Sequence, residues 1–309
     1  MKHFRCLFHT IKMQASSLPL HRRSRIEQLK MMNYSMEINE EKVEALVHTS
    51  GLHYSDFDIG GKPKPWQLMK LLESARYYCH HWPIDDTGRN FRDYAELTSD
   101  RMTFLVTSRM DIDRCIYDLN TPKNPLDVKV QSGYVGNSSL NSIATVQTLD
   151  GQRLLSNINQ VVSIDRATRR PKQLPDWWRE KYSKCGENAS PLKFEKCSKP
   201  EGLVPFEIKV VRSDQDGNGH TNWSSYVRYS LDCIYHNAKH GRIDNFNDFN
   251  QLGLQSMELL HIGECFDDDL LSIYAWNKQQ TQSTVCVHVE KDNKVIFQGT
   301  YTFYEELIL

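Results

Sequence analysis

The stretch Ser55-Asp56-Phe57-Asp58-Ile59-Gly60-Gly61 returns later in the chain as Ser213-Asp214-Gln215-Asp216-Gly217-Asn218-Gly219. Both copies read S-D-x-D-x-x-G. Each follows an extended-looking segment and leads into a helical one, so one unit of structure is expected twice. The copies differ where chemistry would sit. Gly60, Lys62 and Lys64 of the first stand against Asn218, His220 and Asn222 of the second. Polar reactive groups collected in one copy point to an enzyme with one working half and one supporting half.

Each motif opens onto a helix. In the first copy Pro65 suits the opening turn, where its missing N–H would have no partner in any case. Leu68, Leu72, Ala75 and Cys79 then share one face. In the second copy Thr221 or Asn222 is expected to cap the helix by accepting a backbone N–H. Tyr226, Tyr229, Ser230, Cys233, Ile234 and Asn237 follow at spacings of three and four, a mixed face whose polar members need partners if buried. Strands fill the rest. Phe104, Val106, Ser108, Met110 and Ile112 alternate, as do Val128, Val130 and Ser132, and Val161 to Ile164 is a compact β-rich run. Val285, Val287 and Val289 lead through the turn Lys291-Asp292-Asn293-Lys294 into a returning strand, which is a hairpin pattern. A strand, one helix and then several antiparallel strands, taken twice, is an α+β order.

The boundaries expected are a leader over 1–45, a first domain over 46–175, a linker over 176–205 and a second domain over 206–309. The linker region is rich in Pro and Gly, and Asp176-Trp177-Trp178-Arg179-Glu180 within it reads as a short helix packing its Trp pair. From Arg166 to Arg212 there are 12 Lys/Arg against 6 Asp/Glu. Simple solvation accounts for that excess, and docking of an acidic partner is the alternative.

Bulk properties narrow the function classes. The 309 residues suffice for about two domains. A net charge of −1 is not that of a nucleic-acid binder. The eight cysteines form no C-x-x-C pair, which points to reduced thiols and neither a zinc ribbon nor a redox pair. No apolar run reaches the roughly 20 residues of a membrane helix. Residues 1–26 carry Lys2, Arg5, Lys12, Arg22, Arg23 and Arg25 with no acid before Glu27. Such a leader predicts mitochondrial-matrix targeting. A plain tail with a start near Met31 or Met32, and a cytoplasmic protein, is the other reading.

Asp214-x-Asp216-x-Asn218-Gly219 looks like the start of a calcium loop, but the bidentate Glu required at its twelfth position is Ser225. The Asp267-Asp268-Asp269 run lacks any framing His or Cys, so no metal and no cofactor are expected. The wider string Asp214-x-Asp216-x-Asn218-x-His220-x-Asn222-x-x-x-Tyr226 crowds carboxylate, amide and imidazole onto a loop that opens a helix. The N–H groups of a helix start favour developing negative charge, so a thioester carbonyl aimed there would be polarised. His220 would relay a proton, Asp216 would orient it or a water, and Asn218 would hold water or carbonyl. Glu264-Cys265, at the end of a period-two segment, adds a carboxylate suited to a base or nucleophile.

These residues resemble a known family. The string from Asp214 to Tyr226 is similar to the D-x-D-x-N-x-H-x-N-N-x-x-Y signature of acyl-ACP thioesterases, and Glu264-Cys265-Phe-Asp-Asp-Asp-Leu-Leu resembles that family's E-C-x-x-D-x-x-L segment. Phe57 to Gly60 with Leu68-Met69 and Leu72 to Ala75, Val106 to Met110, and Asp165 to Asp176 agree too, across roughly residues 45–309. The resemblance implies two tandem hotdog domains, each an antiparallel sheet wrapped around a central helix. It implies hydrolysis of fatty acyl thioesters, with Asp216, Asn218, His220 and Glu264 catalytic. The Cys once assigned a catalytic role maps onto Cys265. The first domain would mainly shape the acyl pocket, and Asn222, Tyr226, Cys265, Trp66 and Met69 would bind substrate. Partners would be acyl carrier protein or coenzyme A thioesters, with a homodimer left open. Trp223 stands where the family carries a second Asn, and Gly217 and Gly219 where its members carry side chains. A hotdog enoyl-thioester hydratase and a non-catalytic acyl-chain or acyl-carrier binding protein are the rival readings.

Overall fold

The computed structural model describes residues 20–186, 189–217, 219–244, 246, 252–278, 281 and 283–304. Most of the basic leader and Asn218 therefore lie outside the described residues. After helix α1 (Leu20–Met31) come β1 (Ser35–Asn39), β2 (Glu44–Thr49), the long helix α2 (Pro65–His81), the single turn α3 (Tyr94–Leu97), β3 (Arg101–Ile112), β4 (Leu126–Val135), β5 (Ser139–Gln147) and β6 (Arg153–Asp165). Helix α4 (Asp176–Tyr182) precedes β7 (Phe206–Lys209), the long helix α5 (Trp223–Lys239), β8 (Leu254–His261), β9 (Leu270–Asn277), β10 (Thr284–Lys291) and β11 (Lys294–Phe303).

The strands form a single antiparallel sheet in the order β1-β2-β4-β5-β6-β3-β8-β11-β10-β9-β7. Without β1, the first half reads 2-4-5-6-3 and the second, from its far edge, 7-9-10-11-8. Those are the same topology with the same helix position, two hotdog units joined edge to edge through β3 and β8. The seam runs from Thr107 opposite Leu260 to Asp111 opposite Ser256, with Arg109 Nη1 lying 3.6 Å from Glu258 Oε1.

The repeated loops fold alike. Asp58 N donates to Lys62 O at 2.8 Å, and Asp216 N to His220 O at 2.7 Å. Lys64 N and Asn222 N each donate to the carbonyl of the motif's first Asp at 2.8 Å. Gly61 and Gly219 have φ of 72° and 78°, a backbone region that favours glycine. At Gly217 a side chain would collide with the Arg25 guanidinium of α1.

The helices bury the faces their spacing predicts. Leu68, Leu72, Ala75 and Cys79 of α2 are buried, as are all six expected residues of α5. Two polar members of the α5 face have backbone partners: Ser230 Oγ donates to Tyr226 O at 2.7 Å, and Asn237 Nδ2 to Cys233 O at 3.1 Å. The turn between β10 and β11 places Asp292 and Asn293 at positive φ, as a tight hairpin requires.

Three expectations need correction. The sheet begins at Ser35, inside the stretch assigned to the leader, because β1 and β2 extend the first unit's edge. Helix α4, assigned to the linker, packs on the first unit: Trp178 and Tyr182 share a small core with Leu97, Leu140 and Leu174. Only one Trp of its pair is buried, since Trp177 is 39% exposed.

The chain between the units is extended and crosses the sheet face opposite the helices. Asn141 Nδ2 donates to Ser190 O and Thr107 Oγ1 to Leu192 O, both at 3.2 Å. His288 Nε2 lies 2.9 Å from Cys197 O, and Lys199 pairs with Glu290. Among the described residues no helix is long and apolar enough to cross a membrane.

Candidate active site

The loop before α5 and the loop after β8 deliver His220 and Glu264 to one place. His220 Nδ1 is 3.2 Å from Glu264 Oε1, with side chains 26% and 32% exposed. The contact is at ion-pair distance but lacks hydrogen-bond alignment, since Nδ1 has no hydrogen-bond partner. Loose pairs of this kind are common in catalytic sites without substrate. Phe266 packs on the imidazole at 5.3 Å. Asp216 Oδ1 lies 3.4 Å from His220 N, which places that carboxylate at the base of the same loop.

Two residues that sequence reasoning left without a role complete the arrangement. Arg169 Nη2 donates to Glu264 Oε1 at 3.0 Å and to Oε2 at 2.9 Å. Its guanidinium also covers the Phe104 ring at 4.5 Å. An arginine from the end of the first unit thus holds the carboxylate of the second. Glu73 of α2 is the other. Its Oε2 accepts from Asn222 Nδ2 at 3.0 Å and from Trp223 Nε1 at 3.1 Å. Trp223, the departure from the family pattern, supplies a donor to the same oxygen as Asn222.

Asn222 is the cap of α5, its Oδ1 accepting from Ser224 N at 2.9 Å. Thr221 instead donates its hydroxyl to Cys265 O at 2.9 Å. Cys265 is fully buried, its Sγ 3.2 Å from both Thr221 Oγ1 and Tyr226 OH. Burial pushes its thiol above the ordinary range, which does not suit a nucleophile. His261, half-buried and packed edge-on to Tyr226 at 5.7 Å, has its pKa lowered to about 4 by desolvation.

A cavity of about 940 Å³ extends from His220, Asp216 and Glu264 between α2 and the strands β3 and β6. Tyr226 and His261 also line it. Trp66 and Met69 do not. Met69 is buried in the core and Trp66 packs against that core, because their α2 positions turn toward the sheet and the neighbouring elements. Asn222 and Cys265 also stand back from the cavity, one holding the helix start and the other packed beneath it. The cavity wall is supplied instead by β3, β6 and the α2 face bearing Glu73. The sequence signal for that face was available: Glu73, Arg76 and His80 recur at helical spacing beside the apolar stripe.

No protein-family model matches the chain, and no curated protein matches it. Solved structures do. An acyl-ACP thioesterase from Bacteroides thetaiotaomicron superposes with a TM-score of 0.62 at 18% identity, covering 86% of this chain and 100% of that one. A 12:0-ACP thioesterase from Umbellularia californica gives 0.60 at 14% identity, over 85% and 97%. At those identities the likeness is one of fold. Over most of its length this chain has the double hotdog architecture of acyl-ACP thioesterase structures.

Proposed function

We propose that this protein hydrolyses fatty acyl thioesters to a free acid and a carrier thiol. The observation that carries this reading is the meeting of His220 and Glu264 at 3.2 Å, under the Arg169 clamp, at the mouth of a cavity with an apolar strand wall. The thioester carbonyl would face the start of α5, whose N–H dipoles stabilise the oxyanion. Glu264 and His220 together would draw a proton from water as it attacks. The C–S bond then breaks, and the departing sulfur takes a proton from the imidazole. Asn218 would help to hold the water or the carbonyl. The carrier would be acyl carrier protein or coenzyme A, and the mitochondrial matrix the proposed location. With both carboxylate oxygens engaged by Arg169, Glu264 is better disposed as a base than as a nucleophile forming a mixed anhydride.

The test is thiol release from a chain-length series on both carriers, comparing wild type with His220→Ala and Glu264→Ala. Each variant is expected to lose at least about 100-fold in kcat/KM, the usual contribution of a positioned acid–base group. Unchanged turnover in both would reject the site. Enoyl-thioester hydration without thiol release would replace the reading by a hydratase, and ligand retention without either reaction by a binding protein. Multiple turnover in heavy-oxygen water separates base from nucleophile: label in Glu264 would establish the anhydride route.

A further inference from the structure

The two walls of the cavity are chemically unlike. On the strand side Phe104, Leu105, Val106, Val161, Val162 and Ile164 offer an apolar surface to a hydrocarbon chain. On the α2 side Glu73, Arg76 and His80 line the same space. Glu73 is engaged by Asn222 and Trp223, but the next two residues are not fully engaged. Arg76 is 8% exposed. Its Nε donates to Ser142 Oγ at 3.2 Å, and its Nη2 donates to Ser142 O at 3.1 Å and Asn157 O at 3.2 Å, while Nη1 has no partner. His80 stacks on Tyr94 at 4.3 Å, and its Nε2 is buried with no partner. Part of the His80 side chain remains accessible. Behind them Arg92 is buried with Nε and Nη2 unpartnered.

Among the described residues no carboxylate pairs with Arg76 or Arg92. The nearest acids on their elements are taken: Glu73 by the α5 start, and Asp93 by Lys181 and Tyr182. Buried cations lacking a counter-charge are costly, and they are ordinarily paired or hydrogen-bonded in full. A purely apolar occupant would leave that cost in place. An occupant with an anionic oxygen would remove it through a charge-assisted hydrogen bond.

We propose that the cavity selects acyl groups bearing a second, anionic carboxylate at a distance from the thioester, seated against the Arg76 guanidinium. The methylenes lie on the β3 and β6 wall, and the carboxylate turns toward α2. Glu73 touches the start of α5, so Arg76 stands about 5 Å and His80 about 10 Å further along the helix axis, a separation suited to a chain of medium length. The turnover part of the proposal rests on the hydrolase reading. Water adds to the thioester carbonyl, the C–S bond breaks, sulfur leaves as the thiol, and a dicarboxylate departs.

The experiment compares suberoyl-, ω-hydroxyoctanoyl- and octanoyl-coenzyme A as substrates, and suberate and octanoate as ligands by calorimetry. Wild type is expected to favour suberoyl over octanoyl by about tenfold or more in kcat/KM, and Arg76→Gln to reduce that ratio by about tenfold. A wild type that favours octanoyl, or treats the hydroxylated and carboxylated chains alike, overturns the proposal and leaves thioester hydrolysis standing. So does a ratio unmoved by Arg76→Gln. If no chain releases thiol, hydrolysis fails and binding to wild type decides: tighter suberate than octanoate supports the carboxylate seat, and equal or absent binding overturns it. Should Arg76→Gln not fold, the wild-type substrate ratio and the wild-type titrations decide alone.

Discussion

His220 and His261 are a few ångströms of environment apart in character. Burial drives His261 neutral, whereas His220 sits partly exposed beside a clamped carboxylate. Glu264 owes its position to Arg169, so Arg169→Gln is expected to lower kcat/KM by about tenfold, through kcat more than KM, as loss of an orienting partner does. An effect confined to KM would mean that Arg169 meets the carrier instead. Cys265 is expected to resist iodoacetamide in the folded protein at neutral pH, because burial and a raised thiol pKa suppress the thiolate. Peptide mass mapping checks this, and rapid labelling would contradict it. At this scale the pairing of His220 with Glu264 was the expectation from residue type and motif, and the two side chains do stand together. Arg169 and Glu73 were not assigned roles, because each acquires its partner only when the fold closes chain segments far apart in sequence. Trp66 and Met69 stand away from the cavity, and helical spacing alone does not say which face turns to it.

The two S-D-x-D-x-x-G loops are one element used for two ends. In both, the motif's backbone closes the same hydrogen bonds before a long helix. Only the second has a side-chain cap: Asn222 holds Ser224 N, while Lys64 at the matching position caps nothing and reaches Ser55 O instead. Asn222→Ala is therefore expected to destabilise the protein by about 1 kcal/mol or more, since it removes a cap and a bond to Glu73. Lys64→Ala should stay within about 0.5 kcal/mol of wild type, as exposed substitutions usually do. Urea midpoints of the two variants test the contrast, and equal losses would deny it. Both long helices and the β10–β11 hairpin could be read from periodicity and turn residues. The sheet's extension to β1 and the attachment of α4 could not, because a short edge strand and a single buried Trp carry little periodic signal.

At the level of the whole molecule the continuous sheet sets the behaviour. With β3 hydrogen-bonded to β8, the two units share a backbone ladder as well as the site. One cooperative thermal transition is expected, and two calorimetric peaks would show the units melting apart. Acid should lower the stability of the whole. The His261 pKa falls from an ordinary 6.5 to about 4 in the folded state, so protonation favours the unfolded chain. The stability this neutral ring confers is complete above pH 6.5 and lost as pH falls toward about 4, on the order of 3 kcal/mol. Urea titrations across that range should show a steeper loss for wild type than for His261→Asn, and parallel curves would exclude the ring as the cause. The seam also bears on what either half could do alone. A fragment starting at Phe206 would carry His220 and Glu264 yet expose β8 as a raw edge ready to recruit its own copies. Neither half is therefore expected to stay monomeric on its own, because each would present an unpaired strand along this line.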